Sequence, residues 1–234
     1  MKYLLLVLLT LLPVALRADT TIDTTGSWDG IACFRYMGES ATGPGNATAT
    51  YGQTFTTPAV DTRLDSFSFW LQWNSGGNSQ MDYAAYVMAW DGTKAVGPML
   101  YQSAPQYLPN TATSMTRVDL DTPGVNLTSG HVYVAFLSVS NFLDGKSEYV
   151  NMEKSLNSPP YSGGNFVYCN NLGDFSLLTS QQWDGYARGW GDAAFVAQFD
   201  SPSGGGTPEL PANALLGISM IPMGLAWLRR RGKR

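Results

Sequence analysis

Residues 66–73 read Ser-Phe-Ser-Phe-Trp-Leu-Gln-Trp. Phe67, Phe69, Leu71 and Trp73 fall on one side of an extended chain, while Ser66, Ser68 and Gln72 share the other side with Trp70. Only an extended backbone sorts side chains with a period of two, so this run predicts a half-buried strand. Residues 51–56, 83–90, 99–102, 115–120, 132–138, 166–168 and 193–199 read the same way. Between them stand Asp-Gly pairs at 29–30, 91–92, 144–145 and 184–185, and Gly-Gly at 76–77 and 163–164. These pairs tolerate the positive φ that tight hairpins need. No helical stripe is evident between Asp19 and Thr207. Short strands with regular turns over residues 19–200 predict an all-β domain, a jelly-roll-like two-sheet β-sandwich, with an immunoglobulin-like sandwich as the alternative topology. Trp-Asp-Gly occurs at 28–30, 90–92 and 183–185, but the unequal intervals do not define a propeller blade. The tripeptide reads as an aromatic closing a strand before a turn.

The two ends have a different composition. Residues 1–18 carry Lys2, an apolar run from Leu4 to Leu16, and a small residue, Ala18, before a polar stretch, the pattern of a cleaved signal peptide. Residues 201–207, Ser-Pro-Ser-Gly-Gly-Gly-Thr, read as a flexible linker. Beyond it, residues 208–234 begin Pro208-Glu209-Leu210-Pro211 and end with five basic residues among the last six. The 19 residues from 210 to 228 approach the roughly 20 that a helix needs to cross a bilayer. The basic cluster behind them would hold that end in the cytoplasm, and Pro222 would kink the helix without forbidding it.

That order of parts resembles the PEP-CTERM sorting signals of Gram-negative bacteria, in which a Pro-Glu-Pro-like motif, an apolar helix and terminal arginines direct the protein to an exosortase. The resemblance makes Pro208, Glu209, Leu210 and Pro211 the sorting motif and Arg229, Arg230 and Arg231 its basic end; Pro-Glu-Leu-Pro stands here where the family has Pro-Glu-Pro. It implies an inner-membrane intermediate, then release or re-anchoring at the cell surface or in the extracellular matrix, beside secreted polysaccharide.

Charge narrows the partners. Residues 19–207 hold seven basic and 17 acidic side chains, a net of −10, which repels nucleic acid and admits a divalent cation. Asp29, Asn170, Asn171, Asp174 and Asp192 supply oxygen ligands suited to calcium near the two ends of the domain. Cys33 and Cys169, an even pair in an exported chain, predict a disulfide. The only histidine, His131, starts a strand with no nucleophile motif about it, and the ectodomain's glutamates, Glu39, Glu148 and Glu153, read as lying outside strand cores. Catalysis is therefore not expected. Trp70, Tyr86 and Trp90 are the candidate glycan-stacking residues, Trp70 because it lies on the polar side of its strand. The leading expectation is a non-enzymatic surface or matrix protein in contact with polysaccharide. A carbohydrate-binding module with a defined glycan site and a glycan-acting enzyme are the alternatives.

Overall fold

The alternation at 66–73 becomes the middle of a long strand in the computed structural model, which describes residues 19–201 apart from 27–28, 41–47, 77, 159 and 186–188. In chain order the strands are β1 (Thr20–Asp23), β2 (Cys33–Glu39), β3 (Thr50–Thr56), β4 (Arg63–Gly76), β5 (Gln80–Trp90), β6 (Ala95–Gln102), β7 (Gln106–Pro109), β8 (Thr116–Asn126), β9 (Val132–Ser138), β10 (Glu148–Glu153), β11 (Phe166–Cys169) and β12 (Phe195–Asp200), with one short helix, α1 (Leu177–Ser180).

The first sheet is built on β4. One side of it pairs with β8, and the other pairs with β12 and then with β10. β1 continues this sheet beyond β12, and β2 beyond β10. The second sheet runs β11-β3-β9-β5-β6, with β7 also on β5. Both sheets are antiparallel, and the two-sheet β-sandwich is as expected. Eight strands fall where the alternation put them. β8 runs past the expected end at Leu120 through Pro123 and Gly124, with a register shift opposite Leu64 and Ser66. Proline is tolerated there because β8 pairs with β4 alone among the described strands, so its missing N–H breaks no second ladder.

Between the sheets lies a core of large side chains. Phe67, Phe69 and Leu71 are fully buried, each worth roughly 1.5–3 kcal/mol by area. Phe55 of the second sheet meets Phe195 and Phe199 of the first, at ring-centroid distances of 5.9 and 5.8 Å. A second apolar cluster lies on the outer side of the second sheet. There Tyr86, Met88, Trp90, Val134, Phe136, Val167 and Cys169 are buried with Leu178 and Trp183 of the segment 170–185. This segment covers the outer face of the second sheet over Tyr86 and Trp90.

Among the described residues no helix is long and apolar enough to cross a membrane. The expected signal peptide, linker, sorting motif and membrane span at 210–228 lie outside the described residues, apart from Ser201.

Candidate functional site

The outer face of the first sheet carries the polar side of β4. Trp70 sits there half-buried, opposite the buried Phe67, Phe69 and Leu71, as its strand phase requires. Register places Arg117 of β8 across from it, with the guanidinium carbon 5.2 Å from the ring centroid. Arg117 is held in turn: its Nε donates to Asp119 Oδ1 at 2.6 Å and its Nη2 to Ser68 Oγ at 3.1 Å. Ser68 Oγ donates to the same carboxylate oxygen at 2.6 Å. Nearby, Ser66 Oγ donates to Gln198 Oε1, Gln72 Nε2 to the carbonyl of Thr113, and Asn74 Nδ2 to Asn151 Oδ1. The face therefore offers one indole, one guanidinium and several positioned hydroxyls and amides. Arg117 and Asp119 side chains remain 47% and 61% exposed, so water and ligands reach them.

Two further aromatics lie on this sheet, in β2 and β10, outside the expected strands. Tyr149 of β10 meets Tyr36 of β2 edge-on at 5.8 Å. Tyr149 pairs with Ser75, five residues along β4 from Trp70, a separation of about 17 Å at the usual strand rise. Tyr36 was illegible because its φ is 70° and Gly38 has φ 147°, which breaks the alternation of β2.

The other two candidate aromatics, Tyr86 and Trp90, are buried and do not form a stacking face. Tyr86 is 1% and Trp90 8% exposed. Tyr86 stacks on Phe136 and packs against Phe175, with centroids 5.1 and 5.0 Å away, and Trp90 stands edge-on to Trp183 at 5.5 Å. Both are core residues beneath the 170–185 segment rather than an open stacking face.

The expected disulfide is likewise absent: Cys33 and Cys169 are free thiols. Phe166 faces the core between the sheets, so alternation turns Val167 and Cys169 into the second cluster. Cys169 thus points to the far side of its own sheet from Cys33, which lies on the other sheet, and burial pushes its thiol up to about 12.

Nor do the candidate calcium ligands converge. Asp29 Oδ1 accepts the backbone N–H groups of Ile31 and Ala32, which lower its pKa. Asn170 is exposed. Asn171, fully buried, accepts from Thr50 and donates to Ser140 and the Asp174 carbonyl, while Asp174 accepts from Ser176. Asp192 lies elsewhere, against β3 at Gln53, and accepts from Gln53 Nε2 and the Tyr161 N–H, both at 2.8 Å. Burial raises its pKa. Among the described residues no group of three or more His, Cys, Asp or Glu could hold a metal ion.

Glu148 and Glu153, expected outside strand cores, instead open and close β10 and are 7% and 5% exposed. Glu148 pairs in register with Glu39. Such a carboxylate pair invites an acid–base reading, but both are engaged locally. Glu39 accepts the N–H groups of Asp144 and Gly145 at 2.8 Å each, and Glu148 accepts the side-chain amide of Asn78. Glu39 thus holds the 144–145 backbone against the sheet, while Glu148 ties Asn78 to β10. His131 is exposed at the head of β9.

No family model matches this sequence. No curated protein matches it either. Among solved structures, the chain is similar to an alanine variant of the clostridial cysteine protease Cwp84 after propeptide cleavage, at 9% identity and a TM-score of 0.49, over 79% of this chain and 40% of that one. It is also similar to the cysteine protease and lectin-like domains of Cwp84, a surface layer associated protein of Clostridium difficile, at 11% identity and a TM-score of 0.41, over 66% of this chain and 32% of that one. The chain thus spans well under half the length of either structure.

Proposed function

We propose that the chain is an exported bacterial surface or matrix protein without catalytic activity. Its jelly-roll-like sandwich holds extracellular polysaccharide on the outer face of the first sheet. The observation that carries this reading is Trp70, only partly buried on a sheet face whose hydroxyls, amides and guanidinium are already positioned by one another. A pyranose offers hydroxyls to such groups and an apolar C–H face to an aromatic ring. The second aromatic spot, at Tyr149 and Tyr36, suits an extended polymer better than a single sugar. In this reading residues 1–18 are removed on export, and the PEP-CTERM-like tail with its membrane helix hands the protein to an exosortase.

Affinity electrophoresis in the host's own polysaccharide, beside thermal melting, tests it. Trp70→Ala is expected to weaken retardation while costing about 1–2 kcal/mol, because a partly buried ring outside the core loses its cation–π contact and part of its packing. A buried indole would instead cost roughly 3–5 kcal/mol. Unchanged retardation by the folded variant removes the proposed face. A glycan array on the same protein separates a general matrix role from a defined glycan site, and a reducing-sugar assay exposes any hydrolase activity.

A further inference from the structure

Along β10 the side chains alternate across the first sheet. Val150 and Met152 lie in the core between the sheets, whereas Asn151 pairs with Gln72 on the outer face. Glu153, two residues beyond Asn151, therefore turns outward as well. Register fixes its place on that face. Met152 pairs with Leu71 of β4, so Glu153 comes level with Trp70, at the point where β12 takes over from β10 beside β4. Trp70 thus has Arg117 level with it on the β8 side and Glu153 on the β10 side.

The carboxylate of Glu153 is buried and unmatched. The residue is 5% exposed, yet among the described residues no donor or cation bonds to its carboxylate, and burial raises its pKa. The sealed, partnerless side-chain atoms of the described residues, Trp90 Nε1 among them, include neither of its oxygens, so the carboxylate keeps contact with solvent. Neighbouring basic groups are placed elsewhere. The Lys154 ammonium lies 5.7 Å from the Phe34 ring centroid, Arg117 is bonded to Asp119 and Ser68, and Arg35 of β2 is exposed without reaching Glu153. A carboxylate that has lost most of its water without gaining a partner is costly, and buried acids are ordinarily paired.

We propose that Glu153 pairs with the ammonium group of an amino sugar whose ring stacks on Trp70, so that the polymer this face takes is one carrying free amino groups. The inference rests on the reading of the face as a polysaccharide surface and names the sugar it selects. Charge complementarity carries it. An ammonium repays a buried carboxylate more fully than a hydroxyl does, and an indole attracts a cation as well as a C–H face. Residues 19–207 carry 17 acidic against seven basic side chains, a field that draws in a polycation and repels an acidic polymer. The charge of Arg117, on the other side of the ring, is offset by Asp119 at 2.6 Å.

The test titrates soluble oligomers of glucosamine, N-acetylglucosamine and glucose, equal in length, into the full chain purified in detergent near neutral pH, with calorimetry as the readout. The glucosamine oligomer is expected to bind at least about tenfold more tightly than the other two, a modest return for a charge-assisted pair. Glu153→Gln keeps the shape and removes the charge; it is expected to bring glucosamine binding down to the level of the other oligomers. Asp82→Asn, which removes an exposed charge from the second sheet, is expected to leave that binding unchanged, separating a local pair from the field of the whole domain. Equal binding of the three oligomers overturns the proposal, as does undiminished glucosamine binding by folded Glu153→Gln or an equal loss in both variants. If Glu153→Gln does not fold, the comparison of oligomers on the unaltered chain still decides. Should the pairing fail while Trp70→Ala weakens retardation in the host's polysaccharide, the face stands and only its sugar is reassigned; should Trp70→Ala have no effect there, the face itself falls.

Discussion

Glu148 shows how burial and neighbouring charge act on one side chain. Its carboxyl is raised to about 7, first by burial and then by repulsion from Asp144, Glu39 and Asp82, with Lys146 opposing. A folded value above the ordinary 4.5 means the native state holds this proton more tightly than the unfolded chain does. The resulting stability is fully present below about pH 4.5 and is lost as pH rises through about 7. Melting temperature is therefore expected to fall between about pH 4.5 and 7, and Glu148→Gln, which can still accept from Asn78, is expected to flatten that slope. It does not abolish the slope, because burial also raises Glu153 and Asp192. A series of thermal melts from about pH 4.5 to 8 checks it; an identical slope in wild type and variant would contradict the assignment. Cys169 presents a second case. A buried thiol pushed up to about 12 carries almost no thiolate at neutral pH. Alkylation of the native protein should leave Cys169 unmodified, and mass spectrometry after denaturation should find both cysteines reactive. A Cys33–Cys169 peptide pair in non-reducing digests would refute the free-thiol arrangement.

At the scale of elements, the turns explain what the acidic residues do. Asp29 and Asp91 make the same arrangement, each accepting two backbone N–H groups two and three residues on. The glycines that follow them, Gly30 and Gly92, have φ of 81° and 101°, where a side chain would be strained. These carboxylates close turns, which is why they do not gather into a cation site. The loop 162–165 is held differently, by close packing at Gly164. Adding a Cβ against the Thr54 carbonyl must displace the loop or the strand. Gly164→Ala is expected to cost about 1–3 kcal/mol, as overpacked sites do. Urea unfolding measures that loss, and a variant as stable as wild type would mean the loop moves freely from β3.

For the whole molecule, the two ends of the sandwich meet through backbone pairing rather than through sulfur. β1 pairs antiparallel with β12, with Thr20 opposite Phe199. Asp61 ties the same corner, accepting from the hydroxyls of Thr20 and Ser201. Removing either cysteine should therefore leave the ends joined. Location is a separate property, which the proposed function places in the tail. Replacing Arg229, Arg230, Arg231, Lys233 and Arg234 with neutral residues is expected to disturb membrane retention, because the positive cluster sets orientation. Fractionation of the native host reads this out, and unchanged sorting would sink the sorting-signal proposal.

The sequence by itself determined the fold class, since side chains that alternate with period two leave an amphipathic strand few options. It placed eight strands and set Trp70 opposite Phe67, Phe69 and Leu71, because strand phase is a local property. It missed β1, β2, β7 and β10, where strands are short or where Tyr36 and Gly38 interrupt the alternation. Only the tertiary structure decided what covers each face. Tyr86 and Trp90 have the same local pattern as an open aromatic face, yet 170–185 folds over them from about 80 residues further along the chain. The cysteines also depended on the tertiary structure. Their count says nothing of direction, and sheet alternation turned Cys169 away from the sheet that holds Cys33. Pairing along a strand is written in neighbouring residues; covering one sheet by a distant segment is not, because its contacts exist only after the chain has folded.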